Sequence, residues 1–316
     1  MSGTSRLFGA LAAVAALLTA CPGRPRANDR PTSAAEALGS LDGLEPALRR
    51  AFEPADDFAP IPTPGPGDWL HEHPDEGQGF DQYVASEPNM PVPWRSKIYI
   101  QPIGEISSGP SLAELEDYAE RYFGGMDVVV LPSISAEATG ARTREHHGHT
   151  QLLAPDVTGY LKARLPRDGY CMIGLTALDL YPQDDWNFVF GQASLSERVG
   201  VFSSARYDDS FFGDPPSPPQ LVRKRALQVL THELGHMFGI SHCAYYSCNM
   251  NGSNSMAEAD TQPPYLCPIC LRKLQYAVEF DPAARYRALA EFYERVGMAE
   301  AAAFAGRRLA RIEGEP

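Results

Sequence analysis

Two hydrophobic rhythms alternate through the middle of the chain. Lys97-Ile98-Tyr99-Ile100-Gln101-Pro102 reads as a strand, Ser111 to Phe123 as a helix, and Met126 to Leu131 as a short continuous apolar run suited to a buried strand. A helix near Pro155 to Leu165 comes next, then an apolar strand at Tyr170 to Leu175, and two further strand candidates at Phe188 to Phe190 and Gly200 to Ser203. Helical and strand patterns in alternation predict an α/β domain built on a mixed sheet flanked by helices. Upstream, Ser33 to Phe52 carries Ala37 or Leu38, Leu41, Leu44, Leu48 and Phe52 at helical spacing, which predicts a short docking helix. No repeat of 20 to 50 residues is evident, so a solenoid is not expected.

The first twenty residues form a separate unit. Arg6 precedes an apolar run from Leu7 to Leu18, too short to span a bilayer but suited to a signal peptide. Leu18-Thr19-Ala20-Cys21 resembles a bacterial lipobox, which implies cleavage before Cys21 and lipid on its sulfur; an ordinary signal peptide cleaved near Ala20 is the alternative. The lipobox reading makes the protein an exported, membrane-anchored lipoprotein of a bacterial periplasm or cell surface. Residues 21–90, rich in proline, alanine and acidic side chains in their first half, then read largely as a spacer from that anchor. The main globular domain is expected over 91–300, with a tail at 301–316.

With 316 residues and 44% hydrophobic content, the chain can bury one substantial core plus tails. A net charge of −13 argues against nucleic acid as a partner, since a phosphate-binding surface wants clustered Lys and Arg. The one dense basic run, Arg223-Lys224-Arg225, falls near the start of a helix, where it opposes the macrodipole. That helix must draw its stability from packing.

The chemistry is concentrated in His232-Glu233-Leu234-Gly235-His236-Met237-Phe238-Gly239-Ile240-Ser241-His242. Residues four apart share a helix face, so His232 and His236 can place two ring nitrogens on one zinc ion, with Glu233 beside it. Gly239 can take positive φ at little cost and turn the chain so that His242 arrives as a third ligand. Three protein ligands leave a fourth position open, the mark of a catalytic zinc site. Cys243, Cys248, Cys267 and Cys270 group as two close pairs, the spacing of a four-thiolate structural zinc site; two disulfides are the alternative. Cys171, in an apolar run, reads as a buried inert thiol. His146, His147 and His149, and likewise His71 and His73, lack ligand spacing and read as solvated loop residues.

The string from His232 to Cys243, with Cys248-Asn249-Met250 and Cys267-Pro268-Ile269-Cys270, resembles the archaemetzincins within the metzincin metallopeptidases. Asp179-Leu180-Tyr181-Pro182 and the tract from Trp186 to Ser194 look like those of the family's animal members, and the resemblance spans roughly Trp69 to Arg285. It implies a zincin-like mixed sheet with an active-site helix and a C-terminal helical subdomain tied by the four-cysteine site. It also implies two zinc ions, one catalytic and one structural, and Met250 as the Met-turn residue beneath the catalytic zinc, a role for which Met256 fits less well. An edge strand at Asn187 to Ser194 would, by the same resemblance, run along the cleft and pair with an extended peptide. The implied activity is peptide-bond hydrolysis with Glu233 as general base. A zinc-stabilised binding protein with little peptidase activity is the alternative.

Overall fold

The computed structural model describes residues 31–74, 77–106 and 108–314, so the expected signal peptide and Cys21 lie outside the described residues. Helix α1 (Ala34–Leu38) starts at Ser33, whose hydroxyl accepts the Glu36 N–H, and ends at Gly39. Then α2 (Pro46–Phe52) opens on proline. The stretch read as one docking helix is thus two, because Gly39 and Gly43 both take positive φ (71° and 78°) and turn the chain between them. Two further short helices, α3 (Trp69–Glu72) and α4 (Phe80–Ala85), come before the sheet. Ala37, Leu38, Ala51, Phe52, Trp69 and Tyr83 are buried, so most of the spacer region within the described residues packs on the domain. Each apolar piece is only a few residues long, which hides the periodicity that would announce it.

The main sheet takes β1 (Lys97–Ile103), β2 (Val128–Val130), β5 (Gly169–Thr176), β7 (Gly191–Ala193) and β8 (Val199–Ser203), in the spatial order β2-β1-β5-β8-β7. All its pairings are parallel except β7 with β8, which is antiparallel at the edge. Between β1 and β2 runs α5 (Leu112–Tyr122), capped by Ser111 and burying Leu115, Tyr118, Ala119 and Tyr122 along one stripe. A smaller sheet orders β3 (Thr143–His146), β4 (His149–Leu153) and β6 (Asp179–Tyr181), with α6 (Ala154–Lys162) leading into β5. Every residue of β5 is buried, as its position at the centre of a parallel sheet requires.

Helix α7 (Pro219–Met237) crosses behind β5, β8 and β7. Its basic run is matched by partners: Arg223 donates to Glu114 at 2.7 Å, Lys224 to the Asp260 carbonyl at 2.6 Å, and Arg225 to both oxygens of Asp260 at 2.9 and 2.7 Å. Beyond α8 (Met256–Asp260), the chain closes with α9 (Pro268–Val278), α10 (Pro282–Arg295) and α11 (Ala299–Glu313). The last of these runs through most of the expected tail and buries Ala301, Phe304, Ala305 and Ile312. Arg308 on α11 is fully buried and donates to Asp57 and to the carbonyls of Arg50, Ala51 and Glu53, which locks the C-terminal helix to the N-terminal segment.

Two further sequence readings change. The strand expected at Phe188 to Phe190 begins at Gly191 instead, and only Val189 bridges to Leu180. The histidine cluster at 146–149 is a hairpin: His147 and Gly148 both have positive φ (51° and 83°) and turn β3 back onto β4.

Candidate metal centres

His232 and His236 sit one turn apart on α7, and Gly239 (φ 79°) ends the helix so that His242 swings back towards them. The three ligand nitrogens lie within 4.8 Å of one another. Nδ1 of His232 is 2.8 Å from the Asn249 carbonyl, and Nδ1 of His236 is 2.8 Å from the Ile240 carbonyl. A carbonyl only accepts, so both Nδ1 atoms carry the proton and both Nε2 atoms present lone pairs. Those Nε2 atoms face each other at 3.0 Å. Two imidazole nitrogens on one tetrahedral zinc stand about 3.3 Å apart, so the donor set fits that ion. Burial holds all three imidazoles below the usual histidine range, His236 down to about 3, which keeps them in the neutral, ligating form.

Glu233 is buried beside this triad and has no hydrogen-bond partner among the described residues. Burial pushes its carboxyl up to about 8. The edge strand comes right up to it: a Cβ on Gly191 would lie 2.5 Å from Glu233 Oε1. Only glycine admits that approach. Beneath the helix, a Cβ on Gly235 would lie 2.6 Å from the Met250 sulfur, so fully buried Met250 packs directly under the turn between His232 and His236. Met256, half-buried at the start of α8, packs against the outside of the same core.

Cys243, Cys248, Cys267 and Cys270 converge with all four sulfurs within 4.8 Å, buried and unbridged. Cys243 and Cys267 are 3.6 Å apart, beyond the ~2.05 Å of a disulfide and close to the roughly 3.8 Å edge of a tetrahedral zinc–thiolate site. The backbone N–H groups of Cys267 and Met250 donate to Cys248 Sγ at 3.2 and 3.5 Å. Hydrogen bonds from the other three thiols hold Cys243 well below the usual thiol range. Asn251 ties this loop, accepting from Cys248 N–H and donating to the Cys243 carbonyl, both at 2.7 Å. Cys171 is buried apart from this cluster, and its burial pushes the thiol up.

Several site neighbours carry no sequence signal. The Trp69 ring meets the His242 ring edge-on at 4.9 Å and contacts His73, which is half-buried rather than solvated. His71 is exposed beside Glu72. His149 stacks on Phe211 at 3.7 Å, and neither it nor its neighbours belong to a metal-holding group among the described residues.

A model of peptidase family M54 matches residues 164–276, which contain both clusters. The archaemetzincin-2 of Homo sapiens is 38% identical over 286 residues, covering 80% of this chain and 79% of that relative. The chain belongs to the archaemetzincins. It is therefore a member of a zinc metallopeptidase family, as its histidine string implies. Archaemetzincin-2 of Pongo abelii matches at 38% identity with the same coverage, and archaemetzincin-1 of Homo sapiens at 34% over 70% of this chain and 51% of that relative. Among solved structures, the archaemetzincin of Methanopyrus kandleri is 30% identical with a TM-score of 0.46, covering 60% of this chain and 98% of that one.

Proposed function

We propose that this archaemetzincin hydrolyses peptide bonds at a single zinc ion held by His232, His236 and His242, with Glu233 as general base, and that a second zinc sits on Cys243, Cys248, Cys267 and Cys270. The observation that carries the reading is the pair of lone-pair-bearing Nε2 atoms aimed at each other, each ring fixed through Nδ1 by a backbone carbonyl. A zinc ion at the triad supplies Lewis-acid polarisation of the scissile carbonyl and of a water molecule.

Glu233 handles the proton. Its carboxylate accepts the proton of the attacking water and returns it to the leaving amine, and a carboxyl raised towards neutrality by burial suits both halves of that exchange. A neighbouring cation acts in the opposite sense and favours the carboxylate needed first. The edge strand orients the substrate. In the β7–β8 ladder, Phe190 and Ser194 bond inward to Ser203 and Val199, so the alternate residues Gly191 and Ala193 turn their backbone groups outward. An extended peptide adding to that edge would run past Glu233 at Gly191.

Cleavage of a diverse peptide library by zinc-loaded protein, compared with Glu233→Gln, tests the reading. Loss of cleavage with zinc retained supports it; equal cleavage by the two proteins removes Glu233 from the chemistry. We also propose lipid anchoring through Cys21, with the enzyme exported, on the strength of Leu18-Thr19-Ala20-Cys21 alone. Among the described residues no helix is long and apolar enough to cross a membrane.

A further inference from the structure

The loop that leaves α7 delivers two ligands at once. It contributes His242 directly, and through the Ile240 carbonyl it fixes the ring of His236. A helix end leaves its last carbonyls without intrahelical partners, and a glycine at positive φ turns the chain without anchoring the residues after it. This loop is held by a side chain more than 160 positions earlier in the sequence. Gln78 Nε2 donates to the Gly239 carbonyl at 3.2 Å, and Gln78 Oε1 accepts from the Ser241 N–H at 3.2 Å. The two bonds bracket Ile240. The same Oε1 accepts from Lys273 Nζ at 3.1 Å, and Lys273 also donates to the Gln78 carbonyl. Lys273 is buried on α9, three residues after Cys270. The amide therefore has its oxygen towards two N–H donors and its nitrogen towards a carbonyl, the orientation that satisfies every group.

We propose that Gln78 is a positioning residue for the three-histidine site, bracketing Ile240 so that its carbonyl orients His236 and His242 reaches the metal, with Lys273 holding the amide in place from the helix of the four-cysteine site. Gln78 lies outside residues 164–276, the stretch that matches the family model. The inference rests on the zinc reading above. It adds that the N-terminal segment is part of the metal centre, a role beyond covering it. Groups that orient ligands from behind commonly account for about 10- to 100-fold in metal affinity, and Gln78 acts on two of the three ligands.

The test uses the full chain loaded with two equivalents of zinc, titrated with a chromophoric chelator to resolve the two ions, with cobalt(II) absorption as a report on ligand geometry and thermal melting as a report on the fold. Gln78→Leu should weaken the more labile ion by about 10- to 100-fold and change the cobalt spectrum, while the tightly held ion and the melting midpoint of the zinc-saturated protein stay near parent values. Gln78→Glu keeps the acceptor for Ser241 and Lys273 but sets a carboxylate oxygen against the Gly239 carbonyl, so it should recover only part of the loss. Lys273→Met should weaken the same ion, less than Gln78→Leu does. Parent affinity at the labile site in Gln78→Leu overturns the proposal. So does an equal weakening of both ions with a lowered midpoint, which marks a role in the fold alone. Should Gln78→Leu not fold, parent-like affinity in both Gln78→Glu and Lys273→Met overturns it. A parent protein that binds zinc only on its cysteines defeats the site reading itself before any variant is compared.

Discussion

Gly191→Ala is the sharpest probe of the proposed mechanism, because it touches neither metal set and needs no unusual backbone. The added Cβ would lie 2.5 Å from Glu233 Oε1, 2.7 Å from Cδ and 2.8 Å from Cγ. Ordinary contact begins near 3.4 Å, so the carboxylate must retreat by roughly 1 Å or β7 must move outward by as much. Either shift moves the general base relative to a peptide lying on Gly191. A misplacement of that size costs on the order of 100-fold in rate, or ~2.7 kcal/mol of barrier. Expected for Gly191→Ala is a kcat/KM about 100-fold below parent, with two zinc ions per chain and an unshifted thermal midpoint. Peptide-cleavage kinetics, elemental analysis and a melt on one preparation suffice. Parent-level kcat/KM would refute the argument, since it would mean that Glu233 can be displaced without consequence. Loss of the labile zinc would also refute it, by placing the damage on the metal.

Other consequences are more easily read. Purified protein should hold two zinc ions, the three-histidine ion leaving first under chelator because its coordination is open; a single ion with disulfides among Cys243, Cys248, Cys267 and Cys270 by mass spectrometry would remove the second site. Cys267→Ser should lower the melting temperature far more than Glu233→Gln, because a structural zinc contributes folding free energy on the order of 10 kcal/mol in small zinc domains; coincident melts would contradict that division. Cys21→Ala should accumulate as precursor or appear in the soluble fraction with its zinc core intact, and unchanged mature mass with unchanged membrane association would rule out the lipid anchor.

Much of the central fold is legible because each element is long enough to show its period. The strand at Lys97 and the all-buried strand through Cys171 announce themselves as apolar runs, and the Ser111 helix as a capped amphipathic one. The N-terminal segment shows the opposite. Its helices span four to seven residues, and they are held by long-range contacts such as Tyr83 O–H on the Phe238 carbonyl and Arg308 on Asp57. Proline-rich composition reads as spacer when the partners lie 155 and 251 positions away. The hairpin at His147-Gly148 is hidden for another reason: a non-glycine residue at positive φ is uncommon, so only Gly148 signals the turn.

The site divides along the same line. Residues that meet through their side chains, the three histidines and the four cysteines, are legible from type and spacing. Those that act through the backbone are not. Any residue at 249 or 240 has a carbonyl to offer His232 or His236, and the sequence does not say which carbonyl is used. The structure shows that both come from the one tract that also supplies His242, Cys243 and Cys248. Within it the Cys243 N–H donates to the Met250 carbonyl at 2.8 Å, closing the tract into a ring between the two metal sets. The four-cysteine cluster therefore holds one end of the tract that orients two of the histidines, and Gln78 holds the other. Cys267 and Cys270 are placed by α9, Cys243 and Cys248 by Asn251, and the last two share their loop with His242. On the two-zinc reading proposed above, that shared loop gives a centre with an open coordination position a reason to sit next to a closed one: the closed site would supply rigidity that an open site lacks.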